Sequence, residues 1–315
     1  MDGVPVGVQW HTLSKPLAVI ACISMALFYV AVLYAPTLIL RLPPPENLQR
    51  FMIRRFICSA VSTLCSIIAC TILLPVGSIE IADLFGVFGI RLDHLLEAIV
   101  FPLLLTSTMY AGSMGIKVIS LLNSLKEEAS SDGGHFWTFF KRFFHLNVET
   151  GNMLAWRNYV VAPLTEELVF RACMISLLIC GGFEIRRVIL LGPILFSLAH
   201  LNHWMRTYVG NSYSLLKTSM VIGLQLGYTV LFGSYATFLY IRTGHLLAPL
   251  VAHMFCNFMG LPAFYSSRKG ILMLAFGGVA AFLALLFPLT NPSLYNNKTV
   301  ECRCWHGYCS WTSVI

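Results

Sequence analysis

Runs of apolar residues recur along this chain, each closed by a short polar, basic or glycine-rich stretch. A helix needs about 20 apolar residues to cross about 30 Å of hydrocarbon. On that rule the pattern predicts roughly eight membrane segments. They are Leu17–Leu40, Phe56–Leu74, one within Leu95–Leu122, Met153–Cys180, Val188–Ala199 extended by residues 200–204, Ser214–Ile241, residues 244–260 and Ile271–Leu289. The third is long enough to tilt or break. The first is too long for the apolar core of a cleavable signal, and no basic residue precedes Lys15, so it reads as a true span. Residues 135–146, HFWTFFKRFFHL, set aromatics around Lys141 and Arg142, which suits a helix lying in the headgroup layer or a plain basic loop. No fixed-period repeat is visible. The expected fold is therefore all-α: a polytopic transmembrane helical bundle, one membrane-embedded domain over residues 1–315, with an unassigned tail at 290–315.

Composition sharpens this reading. The chain is 57% hydrophobic and 11% charged, with a mean hydropathy of +0.75. Soluble domains carry about 25% charge, so this chain cannot clothe a water-soluble globule. The net charge of +7 comes from basic residues scattered between the apolar runs. They form no stripe and no nucleic-acid module, which argues for topology and lipid headgroups instead. Arg41, Arg50, Arg54 and Arg55 place the first loop on the cytosolic side. The tail would then be luminal, with a glycosylation sequon at Asn297. Seven of the ten cysteines lie in or beside apolar runs and read as small buried hydrophobes. Cys302, Cys304, His306 and Cys309 in the tail match none of the common zinc spacings.

Ionisable residues inside a membrane segment are costly and point to function. Three segments carry them. In 163-PLTEELVFRACM-174, Glu167 and Arg171 are four apart, acid before base, and should neutralise each other on one helix face. Glu166 lies about 100° round the helix, and its i+4 neighbour is Phe170. With no local cation, its carboxylate is suited to taking a proton. In 196-FSLAH-200, His200 closes an apolar run, and His203 follows near the boundary. In 253-HMFCN-257, His253 and Asn257 share a helix face. One carboxylate, two histidines and an amide suffice to hydrolyse an amide bond through activated water: the acid takes the proton, and a ring and an amide donate to the oxyanion. No GxSxG or HExxH motif is present. The same ligand types could hold zinc, though not at a recognised spacing.

These three motifs in this order, with the flanking words 156-WRNYVVAPLTEELVFRACM-174 and 244-GHLLAPLVAHMFCNFMG-260, resemble the type II CAAX prenyl endopeptidases, within the wider group of CAAX proteases and bacteriocin-processing membrane proteins. The resemblance is strong over about residues 156–262 and makes about 153–262 the catalytic core. It implies a glutamate intramembrane protease of the endoplasmic reticulum, with its active site open to the cytosol and no cofactor. Its partners would be farnesylated or geranylgeranylated CAAX proteins, Ras-type small GTPases among them, from which it removes the last three residues. It implies Glu166 as catalytic base with His200 as its partner, His253 and Asn257 as the oxyanion hole, and Glu167 and Arg171 in support. Phe170 and Phe196 are expected to line the cavity for the isoprenoid. Three other readings carry their own signatures. A non-catalytic scaffold would lack one of the four polar residues, a proton-coupled transporter would show paired half-repeats, and a zinc protease would need the metal.

Overall fold

The computed structural model describes residues 13–74, 85–128, 153–201, 215–264 and 268–295. The aromatic stretch 135–146, His203, the Asn297 sequon and the cysteine-rich tail lie outside the described residues.

Every element in them is helical, and local chemistry sets most of the boundaries. Helix α1 (Lys15–Val32) opens on Ser14, whose Oγ accepts from the Leu17 amide at 3.4 Å. The first apolar run does not stay helical to Leu40: α1 stops, and α2 (Ala35–Leu38) restarts around Pro36 as a short separate turn. Helix α3 (Leu48–Leu73) is capped by Asn47, whose Oδ1 accepts from the Arg50 amide at 2.9 Å. The third apolar segment breaks. Helices α4 (Leu95–Met109) and α5 (Ala111–Glu128) meet at Tyr110 with a bend of 79°. The Tyr110 hydroxyl donates to the Gly260 carbonyl at 2.8 Å and so ties the bend to a distant loop.

Residues 153–180 form one continuous but irregular helix, α6. It runs as α over Met153–Trp156, π over Arg157–Val161, α over Ala162–Glu167, π over Leu168–Cys173 and α over Met174–Cys180. Each π stretch widens the turn by one residue, a device found frequently at functional sites. Four more helices follow: α7 (Ile185–Ala199), α8 (Leu215–Thr243), α9 (Leu247–Met259) and α10 (Lys269–Leu289).

The expectation of roughly eight spanning helices is corrected here. Among the described residues, four helices are long and apolar enough to cross a membrane: Lys15–Val32, Leu48–Leu73, Ser219–Thr243 and Lys269–Leu289. A fifth is reached only if the bent α4–α5 pair counts as one span. The physical reasons are local. Gly244 and Gly260, at φ +62° and +74°, stop α9 at both ends and leave 13 residues. That is about 20 Å of helix, against about 30 Å of hydrocarbon. Helix α7 has 15 residues. In α6 no regular stretch exceeds seven residues. Counting apolar residues overstated the number of spans because it could not see these breaks.

The buried core gathers around α6. Val169, Ala172, Cys173, Met174, Ile175, Leu177 and Leu178 are fully shielded and pack against α1, α3 and α7. Helix α9 meets α4, α8 and the first half of α6. The polar residues of α6 and α9 are thereby brought face to face.

Candidate active site

Glu167 and Arg171 pair as their four-residue spacing predicts. Arg171 Nη1 lies 2.9 Å from Glu167 Oε1, with the side chains 1% and 0% exposed. The Arg171 guanidinium sits 4.6 Å from the Phe196 ring centroid and 5.9 Å from that of Phe232, so aromatic faces supply the rest of its desolvated environment. Glu167 has a second partner that no local rule could predict. His253 Nδ1 donates to its Oε1 at 2.7 Å. The other ring nitrogen, Nε2, faces Glu166 Oε2 at 3.7 Å. The histidine of α9 thus stands between two adjacent glutamates of α6. Glu167 fixes its ring through Nδ1 and aims Nε2 at Glu166, as a carboxylate behind a catalytic imidazole does.

Glu166, His200 and Phe170 line one cavity of about 170 Å³ together with Tyr29, Arg55, Ser59, Arg157 and Thr165. His200 follows the last residue of α7. Its Nδ1 donates to the Phe196 carbonyl at 2.9 Å, so in the neutral ring the lone pair is on Nε2. Thr165 gives its proton to the Val161 carbonyl at 2.9 Å. The Tyr29 hydroxyl must therefore be the donor in its 2.9 Å contact with Thr165 Oγ1. Tyr29 also packs edge-on against Phe170, with centroids 5.6 Å apart.

Other expected site residues sit beside this cavity. His253 touches Glu166 from behind and does not line it. Asn257, one turn further along α9 and exposed, donates Nδ2–H to the Asn158 carbonyl at 2.9 Å. That carbonyl belongs to the first π turn of α6. Phe196 does not line the cavity either. It is buried beneath the polar cluster, 4.6 Å from the His200 ring, 6.4 Å from His253 and 4.8 Å from Phe170. Among the described residues, no group of three or more His, Cys, Asp or Glu is arranged to hold a metal ion.

Sequence reasoning missed Tyr29, Arg55, Ser59 and Arg157. One signal was available for Arg157. Positions 157, 161 and 165 repeat every four residues and run down one face of α6 to Glu166. For Tyr29, Arg55 and Ser59, on the separate helices α1 and α3, nothing in the sequence marked the approach.

A second, larger cavity of about 710 Å³ lies between α1 and α7. Apolar side chains form nearly all of it, among them Ile23, Leu27, Ala31, Leu195 and Leu198. Val30 and Ala199 belong to both cavities, so the apolar one runs alongside the polar one.

Glu166 and His200 thus share one cavity among the helices, and His253 approaches Glu166 from a third helix. The family model described as type II CAAX prenyl endopeptidase Rce1-like matches residues 149–259. The chain is 52% identical to CAAX prenyl protease 2 of Arabidopsis thaliana over 307 residues, covering 96% of this chain and 98% of that protein. It is 31% identical to CAAX prenyl protease 2 of Homo sapiens over 301 residues, covering 89% and 83%. The protein of that name from Caenorhabditis elegans is 33% identical over 208 residues, covering 63% and 72%. No solved structure matches the chain. The chain belongs to the type II CAAX prenyl endopeptidase family. It is a multi-pass membrane endopeptidase of the glutamate type that processes CAAX proteins.

Proposed function

We propose that this enzyme removes the aaX tripeptide from farnesylated or geranylgeranylated CAAX proteins, with Glu166 as the general base. The observation that carries this reading is the sharing of one cavity by Glu166 and His200, against an apolar groove that meets it at Val30 and Ala199. Glu166 takes a proton from water, and the hydroxide adds to the carbonyl carbon between the prenylcysteine and the first aliphatic residue. The resulting oxyanion collapses, the C–N bond breaks, and the carboxylic acid of Glu166 returns the proton to the departing amine. His200 Nε2 positions the water. The second N–H of Asn257 and, when both ring nitrogens carry a proton, Nε2–H of His253 donate to the oxyanion, and Glu167 and Arg171 hold His253 in place.

The groove between α1 and α7 takes the isoprenoid. Its volume of about 710 Å³ lies within the range of about 300–1,000 Å³ typical of small-ligand sites. Phe170 and Phe196, each under 4% exposed, serve as the floor beneath the polar groups and not as the wall of this groove. The substrate's lipid holds its C-terminus at the bilayer, at about 0.8 kcal/mol per buried CH₂. The enzyme is assigned to the endoplasmic reticulum membrane with its site reached from the cytosol. Basic residues 41–55 ahead of the second span support that orientation.

The test is tripeptide release from a farnesylated CAAX peptide by the purified protein. Glu166→Gln is expected to lower kcat by about 10²–10⁴-fold while its thermal unfolding stays near that of the parent. A Glu166→Gln enzyme that cleaves at the parent rate would end this assignment.

A further inference from the structure

The polar cavity holds more than the reaction needs. Two arginines line it with Glu166 and His200: Arg55 from α3 and Arg157 from the first π turn of α6. Both are half-buried. No carboxylate among the described residues lies within ion-pair distance of Arg157. Neither guanidinium has a step in the hydrolysis derived above. An arginine such as Arg157 that lines a cavity inside an apolar bundle, where charge is costly, with no carboxylate among the described residues in reach, implies an anionic ligand.

The spacing fits one particular anion. Arg157 precedes Glu166 by nine residues on the same helix, which places their Cα atoms about 13 Å apart along the axis. Residues 157, 161, 162, 165 and 166 all line the cavity, so the two ends share one face. A tripeptide in extended form spans about 10 Å, and an arginine side chain covers the remainder. We propose that Arg55 and Arg157 form the subsite for the free α-carboxylate that ends the aaX segment, and so measure how many residues are cut off. The inference rests on the reading of this cavity as the peptide site. It adds a specificity element: the enzyme recognises the end of its substrate as a charge. A guanidinium is suited to the task because its planar fork matches a carboxylate at two points.

The chemistry a carboxylate would meet here would also suit the phosphate of an anionic lipid headgroup, and the experiment separates the two. Cleavage is measured for paired farnesylated peptides of one sequence, ending in a free carboxylate or in a carboxamide. The parent enzyme, Arg157→Gln, Arg55→Gln and Arg157→Lys are compared, each in neutral and in anionic lipid. The parent is expected to favour the acid over the amide by about tenfold to a hundredfold in kcat/KM, the worth of a buried hydrogen bond to a charged group. The preference should reside mainly in KM. Each glutamine variant should bring the acid-to-amide ratio down toward one, and Arg157→Lys should restore part of it. If a variant loses activity on both peptides in step and keeps the parent's ratio, the arginines are scaffold and the proposal is wrong. If their substitution changes the response to anionic lipid and leaves the ratio untouched, they bind headgroups and the proposal is again wrong. If the parent cleaves neither peptide, the reading of the cavity falls and takes this subsite with it.

Discussion

Glu166 and Glu167 are neighbours with opposite circumstances. Glu167 is fully buried and spends its Oε1 on both Arg171 and His253, while Glu166 reaches the cavity with its side chain 16% exposed. Removing one charge of a buried pair strands the other, at a cost of about 3–5 kcal/mol. Glu167→Gln is therefore expected to lower thermal stability in detergent far more than Glu166→Gln. The double variant Glu167→Leu with Arg171→Met should recover much of that loss without recovering activity, because His253 would still lack its anchor. Differential scanning of the four proteins checks this. The Glu167–Arg171 pair was legible in the sequence, since neighbours on one helix face follow from spacing alone. The His253 contact was not. It joins residues 86 positions apart, and no periodicity within either helix encodes which face of one meets the other. Asn257 shows the same limit. Its partner is a backbone carbonyl exposed by a π turn, and a π turn has no side-chain pattern of its own.

At the level of elements, the apolar segments were found but their lengths were not. Glycines and a tyrosine at a break shortened helices that hydrophobicity would have extended. Close packing then decides where the pieces sit. Gly278 on α10 approaches the α4–α5 bend so tightly that an added Cβ would collide with the Thr108 carbonyl oxygen and lie 2.7 Å from Ala111 Cβ. Small residues at such crossings let helix backbones meet in a membrane. Gly278→Ala is expected to destabilise the protein by about 1–3 kcal/mol through overpacking. Gly277→Ala is the control, because an added Cβ there meets nothing within 4 Å, and its unfolding midpoint should match or slightly exceed the parent's. Equal losses in both variants would mean that this crossing does not depend on a missing side chain.

Across the whole molecule, the polar cavity and the apolar groove adjoin at Val30 and Ala199. The sequence marked Glu166, His200 and Phe170, which meet at the first, but gave no sign of the second, which residues of α1 and α7 line. Ala31→Trp, at an exposed position on the groove, is expected to raise KM for a farnesyl peptide by about tenfold, for a loss of about 1.4 kcal/mol in binding. It should leave kcat nearly unchanged, since the reacting groups lie elsewhere. Steady-state kinetics on a membrane-reconstituted enzyme decide it, and an unchanged KM would remove the groove from the substrate path. If the groove takes the isoprenoid, its place between α1, long enough to span the membrane, and the shorter α7 also changes what concentration means for this enzyme. An isoprenoid entering there arrives by lateral diffusion within the sheet of lipid. The number of substrates per lipid, and not per litre, then governs how often the site is filled, and a cell could slow the reaction simply by making more membrane.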